Sequence, residues 1–455
     1  MGLVALDALG IDGEYRTRKT ELVTDTAGVP VAELSSVPRM YVTRAVGGQR
    51  RTRPLPVAER AAALARAAEL FLSAPVAGLE FDEYVALTCR VTGLPMTVAR
   101  AGGEVVAESL ATTFDAVTPA RPVGAHLDWR DVGGAGGAVW ARRGDVLAVL
   151  APGNAPGVHG LWPQALALGY RVAVRPSRRE PFTAHRLVTV LRTAGFRPAD
   201  ALFLPTDYPG ADELVRASDL AMIYGGQDVA DRYSPDPTVL VNGPGRSKIL
   251  ITAECDWRPY LDLIVESIAG LGGMACVNTT AVLFEGDPAP LARAIADRLA
   301  TMVPMPNVDE RATLPTMPVA GARALADHLA RRGAGAEAVL GAGQVVADLG
   351  DGYAALRPAV HVLRRPDPDT LDVELPFPCV WVSAWSRADG PRVLGNSLVL
   401  TVISTDDALV DDLIADPTIT NVYRGGVPTQ YSRPHIPHEG FLADFLMRNK
   451  GFIQT

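Results

Sequence analysis

Asp145-Val-Leu-Ala-Val-Leu-Ala-Pro-Gly-Asn-Ala-Pro156 is the stretch on which the fold turns. Residues 146–150 form a short apolar run closed by Pro-Gly-Asn, too short for a helix, and read as a strand buried on both faces. The rhythm then repeats: helical spacing over 158–168, a strand at 171–174, a helix at 182–194, a strand at 201–204, a helix at 211–216 and a strand at 219–224. Strands alternating with helices predict a parallel sheet covered by helices. Ligands of such sheets bind outside the carboxyl ends of the strands, which directs attention to the loops 152–156, 175–180 and 225–226.

Strands at 238–241 and 248–251 lead into a helix over 257–269. A second alternation follows: strand 281–284, helices 288–300 and 321–331, strands 380–385 and 398–403, and a helix over 406–415. The expectation is two α/β units joined near Gly245. Upstream, 56–118 reads as two or three helices, 1–55 as an irregular lead-in, and 122–144 as a hairpin around Gly133-Gly-Ala-Gly-Gly137.

The 455 residues carry 43 basic against 51 acidic side chains, and a net charge of −8 argues against a nucleic-acid partner. Only Lys19, Lys248 and Lys450 are lysines, and only Lys248 lies in an apolar stretch, so Schiff-base chemistry is disfavoured. Cys89, Cys255, Cys276 and Cys379 are too scattered for a disulfide framework and read as reduced thiols. No apolar run reaches the roughly 18 residues a membrane span needs, and the start lacks a signal peptide, so a cytoplasmic location is expected. His435 and His438 form the one close histidine pair, with no ligand set beside them, and no metal is expected.

Gly270-Leu-Gly-Gly-Met-Ala275 matches a dinucleotide fingerprint but follows helical rather than strand spacing, which makes it a false match. Its continuation, Gly273-Met-Ala-Cys-Val-Asn278, sets one thiol in a glycine-lined turn, the context of either a nucleophile or a packed cysteine. This loop resembles the nucleophile loop of the aldehyde dehydrogenase superfamily. Other elements follow in the family's order: Thr92-Gly-Leu-Pro95 with Glu104-Val105 is similar to an early helical signature, and Pro152-Gly-Asn-Ala-Pro156 to the Pro-Trp-Asn-Phe-Pro turn. Val174-Arg-Pro-Ser177 resembles the Lys-Pro-Ser/Ala element, and Glu374-Leu-Pro-Phe-Pro378 the Glu-x-Phe-Gly-Pro element.

The resemblance implies an aldehyde dehydrogenase-like α/β fold: a Rossmann-type NAD(P)-binding domain, an α/β catalytic domain and a small oligomerisation element. Its expected parts are 1–121 (helical part of the cofactor domain), 122–145 (bridging hairpin), 146–247 (NAD(P)-binding), 248–417 (catalytic) and 418–455 (oligomerisation tail). It implies Cys276 as nucleophile, with the Asn154 amide and the Cys276 N–H receiving the oxyanion. Pro152, Gly153, Ser177, Gly225 and Gly226 would line the cofactor, and Glu374 would hold the nicotinamide ribose. Arg175 and Arg178, with Arg179, suit a 2′-phosphate and leave only Glu180 to accept from a 2′-hydroxyl, which favours NADPH over NADH.

One departure is informative. Where hydrolytic members carry the Glu that activates water, this chain has Asn242 in Asn242-Gly-Pro-Gly-Arg-Ser247, and an amide cannot act as a base near neutral pH. A thioacyl enzyme would then resist water and suit reduction of an activated acyl group to an aldehyde, as in the bioluminescence-type fatty acyl-CoA reductases, which Ile223-Tyr-Gly-Gly-Gln227 also resembles. The expected substrate is an acyl-thioester or acyl adenylate supplied by a partner ligase, acyltransferase or carrier protein, and the expected assembly a homodimer or homotetramer. The alternatives are oxidation of an aldehyde to acid or acyl-CoA, and a non-redox acyl-carrying subunit. His159 is expected to pack, and His435 and His438 to contact substrate or shape the tail loop.

Overall fold

The computed structural model describes residues 2–454. Two seven-stranded sheets organise them. The first runs in the order Val239–Asn242, Leu220–Tyr224, Val146–Leu150, Arg171–Arg175, Ala201–Phe203, Ala8–Gly10, Gly13–Tyr15. Its first five strands are parallel, and Ala8–Gly10 adds on antiparallel through Phe203↔Leu9. Val146, Leu147, Ala148 and Val149 are wholly buried, as expected for a strand covered on both faces. The chain leaves Val146–Leu150 toward one edge of the sheet and returns at Leu220–Tyr224 on its other side, so the strand order reverses between these two.

The second sheet runs Glu337–Leu340, Ala359–Leu363, Cys379–Ala384, Thr279–Phe284, Ser247–Ile251, Ser397–Ile403, Ile419–Arg424, all parallel except the first. The chain changes sheets between Asn242 and Ser247. Helices Val57–Ser73, Met96–Ala111 and Phe182–Thr193 bury Leu64, Phe71, Val106 and Leu187 in one core with Trp162 and Phe203. At roughly 2 kcal/mol per fully buried large apolar side chain, this packing rather than helix propensity holds them.

The alternation from 146 to 251 matches the observed elements within a few residues. Four readings are corrected. Residues 1–55 are not irregular: they hold strands Val4–Leu6, Pro30–Ser35 and Thr20–Thr24 in a separate sheet, two strands of the main sheet and helix Arg39–Arg50. The 122–144 segment is no hairpin, because Ala125–His126 pairs parallel with Gly137–Arg142, whose other edge takes the tail strand Met447–Phe452 antiparallel. The helix expected over 158–168 is split into Pro156–Gly160 and Pro163–Ala167, since Pro163 cannot donate to a preceding turn. The 56–118 region carries four helices, not two or three. Among the described residues no helix is long and apolar enough to cross a membrane.

Candidate active site

Three segments meet: the turn after Val146–Leu150, the loop after helix Leu261–Ala269, and the tail loop 433–440. The second carries Cys276. Leu271, Gly272 and Gly273 all have positive φ (55°, 71° and 65°), which folds the chain back sharply at the helix end. A Cβ at Gly273 would collide with the Phe377–Pro378 backbone, and one at Gly245 with the Cys276 carbonyl, so glycine is required at both positions. Asn278 closes the loop: its Oδ1 accepts from Ala275 N (2.9 Å), and its Nδ2 donates to Gly270 O (2.7 Å) and Ser267 O (3.1 Å). Ser247 Oγ donates to Cys276 O at 3.1 Å.

The part-buried Cys276 Sγ lies 3.7 Å from His438 Nε2. Burial, with the charges of Glu374 and Glu439 nearby, pushes the thiol up to about 12, against the donation of its own and the Val277 N–H. Burial also pushes His438 down to about 4, and its Nδ1 has no partner. The resting pair is therefore thiol and neutral imidazole, not an ion pair. Glu439 is raised by burial to about 8. Asn421 Nδ2 anchors this loop by donating to His438 O, and also donates to Leu398 O.

Asn154 reaches across from the first turn, its Nδ2 3.5 Å from Met274 O, so it borders the cysteine loop. Asn242, at the end of its strand and in register with Tyr224, buries an amide with neither atom partnered, and Tyr224 Oη is likewise buried and orphaned. Glu374 Oε2 accepts from Arg246 N (2.7 Å), and burial raises its carboxyl. Lys248 is a structural ion: Nζ contacts Asp372 (3.1 Å), Gly395 O (2.8 Å) and Ser397 Oγ (3.1 Å), which pins the segment leading to Glu374.

Pro152, Gly153, Gly225 and Gly226 lie at the strand-order reversal, the topological switch point. A Cβ at Gly153 would collide with Ser177 Oγ, while one at Gly226 would meet open space. The arginine turn is less free than expected. Arg178 Nε pairs with Glu21 (3.0 Å), and both Arg175 and Arg178 lie over the Tyr208 ring. Arg179 turns away, donating to Val91 O (3.3 Å) and Thr92 O. Glu180 is buried and caps helix Phe182–Thr193 through Thr183 N (2.8 Å), so it offers nothing to a ribose. Burial raises Glu180 to about 7 and lowers His159, 3.9 Å away, to about 4; His159 packs beneath the Pro152 turn.

His435 is exposed, so of the histidine pair only His438 reaches the sulfur. Cys89 and Cys379 are buried, all four cysteines are free, and no cluster able to hold a metal exists among the described residues. Glu439 and Tyr224 were not singled out from the sequence. The signal available for Glu439 was its place beside His438 in a loop already flagged.

The sequence profile of the aldehyde dehydrogenase family matches residues 18–389. The chain is 25% identical over 308 residues to a 2-hydroxymuconic semialdehyde dehydrogenase of Pseudomonas sp. strain CF600, a match spanning 60% of this chain and 58% of that protein. Among solved structures it resembles an NAD-dependent aldehyde dehydrogenase from Sinorhizobium meliloti (TM-score 0.83, 18% identity, 99% of this chain and 95% of that one). It also resembles a gamma-glutamyl-gamma-aminobutyraldehyde dehydrogenase from Burkholderia cenocepacia J2315 (TM-score 0.81, 17% identity, 99% and 97%). At these identities the structural likeness speaks for the fold.

Proposed function

The chain belongs to the aldehyde dehydrogenase family, and from that premise we propose that it acts as an oxidoreductase on aldehydes, oxidising an aldehyde to the acid with NAD(P)⁺ through a thioester on Cys276. The contact of Cys276 with His438, with the next residue, Glu439, near enough for its charge to act on both Cys276 and Tyr224, carries this reading, because it supplies the proton acceptors that Asn242 lacks.

The residues present fit a dinucleotide: the switch point has open space at Gly226, Tyr224 and Asn242 present orphaned polar atoms, and the Arg246 and Gly245 N–H groups hold the Glu374 carboxylate in place. Pro152, Gly153, Ser177, Gly225 and Gly226 would hold it, with Glu374 on the nicotinamide-side ribose. When bound, the dinucleotide supplies a hydride acceptor beside Cys276. Arg175 and Arg178 favour a 2′-phosphate, a preference that Glu21 moderates.

As Sγ bonds to the carbonyl carbon, neutral His438 takes the thiol proton, and the oxyanion is met by the Asn154 amide and the Cys276 N–H. Loss of hydride from that carbon leaves the acyl group on sulfur. Glu439, ionised above about pH 8, then accepts a proton from the attacking water. The C–S bond breaks, the sulfur recovers its proton from His438, and the acid departs. The reverse class of reaction, reduction of an acyl-thioester or adenylate delivered by a partner, is the second reading. It is favoured by the uncharged Asn242.

A homo-oligomer fits the exposed Leu127, Trp129 and Ile453 around the sheet that Met447–Phe452 borders. The test is intact mass of wild type and Cys276→Ala with an aldehyde panel plus NAD⁺ or NADP⁺, and with acyl-thioesters plus NADPH. A Cys276-dependent acyl adduct that resolves to acid supports oxidation. Reduction of thioesters with no acid from any aldehyde overturns it in favour of the second reading.

A further inference from the structure

Helix Val57–Ser73 meets an arginine at each end, and the two are treated in opposite ways. At its C-terminal end the buried Arg186 donates to Phe71 O (2.8 Å), Ala74 O (2.7 Å) and Leu79 O (3.2 Å) and lies against the Phe71, Phe81 and Tyr84 rings. A cation at the carbonyl end of a helix is favourable. Arg60 sits in the first turn, where the helix dipole opposes a cation. It is 9% exposed, and among the described residues its guanidinium makes no hydrogen bond or ion pair.

Arg60 faces a cavity of about 570 Å³ also lined by Arg121, Arg142, Arg143 and Lys450. A Cβ at Gly169 would collide with Nη1 of both Arg60 and Arg142, so two guanidinium groups converge on one glycine; Arg142 Nη1 donates to Gly169 O at 2.6 Å, whereas Arg60 has no such acceptor among the described residues. The carboxylate in the lining, Asp145, is already engaged by Arg142 (3.2 Å) and by the buried Arg171 (3.0 Å). Asp200, which also acts on Arg60, is held by Arg197 at 2.7 Å. Burial and then Arg142 lower Arg60 to about 10, so it remains charged at neutral pH. Burying an unpaired charge among like charges is costly, and removing it to an apolar residue is commonly stabilising unless something answers it.

We propose that this cavity binds a phosphate-bearing small molecule, its oxyanion held by Arg60 with Arg121 and Lys450 from the rim, and its organic part lying against Trp140, Val117 and Leu168. Arginine forks match phosphate oxygens in pairs, and the cationic excess calls for a multivalent anion rather than one carboxylate. The site is separate from the Cys276 centre and does not depend on the activity proposed for it.

The experiment is thermal unfolding of the full chain with sodium pyrophosphate or phosphate against sodium chloride at matched ionic strength, for wild type and Arg60→Met. At ten times Kd, pyrophosphate is expected to raise the wild-type Tm by about 2 °C. Arg60→Met is expected to melt higher than wild type without the anion and to lose the rise. Equal rises in both proteins, or none in either, overturn the proposal. So does loss of an oligomer in Arg60→Met with no anion effect, which would assign the cavity to a carboxylate of a second copy. Should Arg60→Met not fold, Arg121→Gln with Lys450→Gln on the exposed rim carries the test. Calorimetric affinity for pyrophosphate is expected to fall at least about fivefold, and unchanged affinity overturns the proposal.

Discussion

Between Ser267 and Thr279 the chain holds one sulfur from every side: Asn278 bonds three backbone groups, Ser247 takes the Cys276 carbonyl, and two glycines admit backbone where no side chain would fit. Between Arg433 and Gly440 the opposite holds. His438 reaches that sulfur from a loop anchored by the Asn421 side chain, its Nδ1 has no hydrogen-bond partner among the described residues, and Glu439 follows it in the chain with its charge acting on the thiol. The nucleophile is held by a dense set of bonds, whereas the groups that would move its protons sit on a tail loop whose backbone is tied at one point among the described residues, His438 O to Asn421. A covalent centre needs a fixed attacking atom, while a proton carrier must serve the thiol, the oxyanion and water in turn.

The largest effect expected is from Cys276→Ala: loss of turnover and of any acyl adduct by intact mass, with coenzyme binding retained by fluorescence titration. Residual turnover above background would remove Cys276 from the chemistry and leave the comparison without its fixed partner.

Glu439→Gln comes next, with a fall in kcat of about 10². The folded carboxyl is raised to about 8, so wild-type deacylation should climb as pH rises through 8, and the variant should lose that limb. The linked stability has the opposite sign. The folded state keeps its proton to about pH 8 while the unfolded chain releases it near 4.5, so this group makes stability fall as pH rises between those values, and Gln should flatten that fall. A variant with the wild-type pH profile in both kcat and Tm would show Glu439 to be a spectator.

Asn278→Ala attacks the rigid side. It leaves the Gly270 and Ser267 carbonyls and the Ala275 N–H without their partner, a cost of about 2 kcal/mol or more in stability. A loss of about tenfold in kcat is expected as Cys276 drifts, since small misplacements of reacting atoms are expensive. Stability lost with kcat intact would mean that the sulfur is held by Ser247 and the glycines alone.

How much of this was legible in the sequence follows the same division. The strands from Val146 to Ile251 announce themselves by apolar runs between Pro and Gly turns, because a strand covered on both faces has no alternative composition. Cys276, Asn154 and Glu374 were singled out because each sits in a local motif. Glu439 and the contact of His438 with sulfur were not, since 162 residues separate Cys276 from His438 and only packing brings them together. Glu180, the one acceptor the sequence leaves beside the arginine turn, shows the same limit: its carboxylate accepts from Thr183 N inside the core, a placement that only packing reveals. The strands of residues 1–35 escaped notice because they are short, and those at Ala8–Gly10 and Gly13–Tyr15 exist by pairing with Ala201–Phe203 far along the chain.

The smallest effect is expected from His438→Gln, and it tests the tail-loop side most directly. Glutamine keeps a polar group near Sγ but cannot take a proton. Because burial holds His438 down at about 4, the imidazole is neutral and able to accept a proton throughout pH 5–9, so its loss should lower the rate evenly across that range, by about tenfold. Burial also holds the thiol near 12, so with His438 removed the sulfur must give its proton to solvent or to Glu439. The reading is therefore the rate of Cys276 alkylation by iodoacetamide beside kcat/KM. If both fall together, His438 carries the thiol proton. If alkylation is unchanged while KM alone rises, His438 shapes the substrate pocket, and the proton traffic at Cys276 belongs to Glu439 alone.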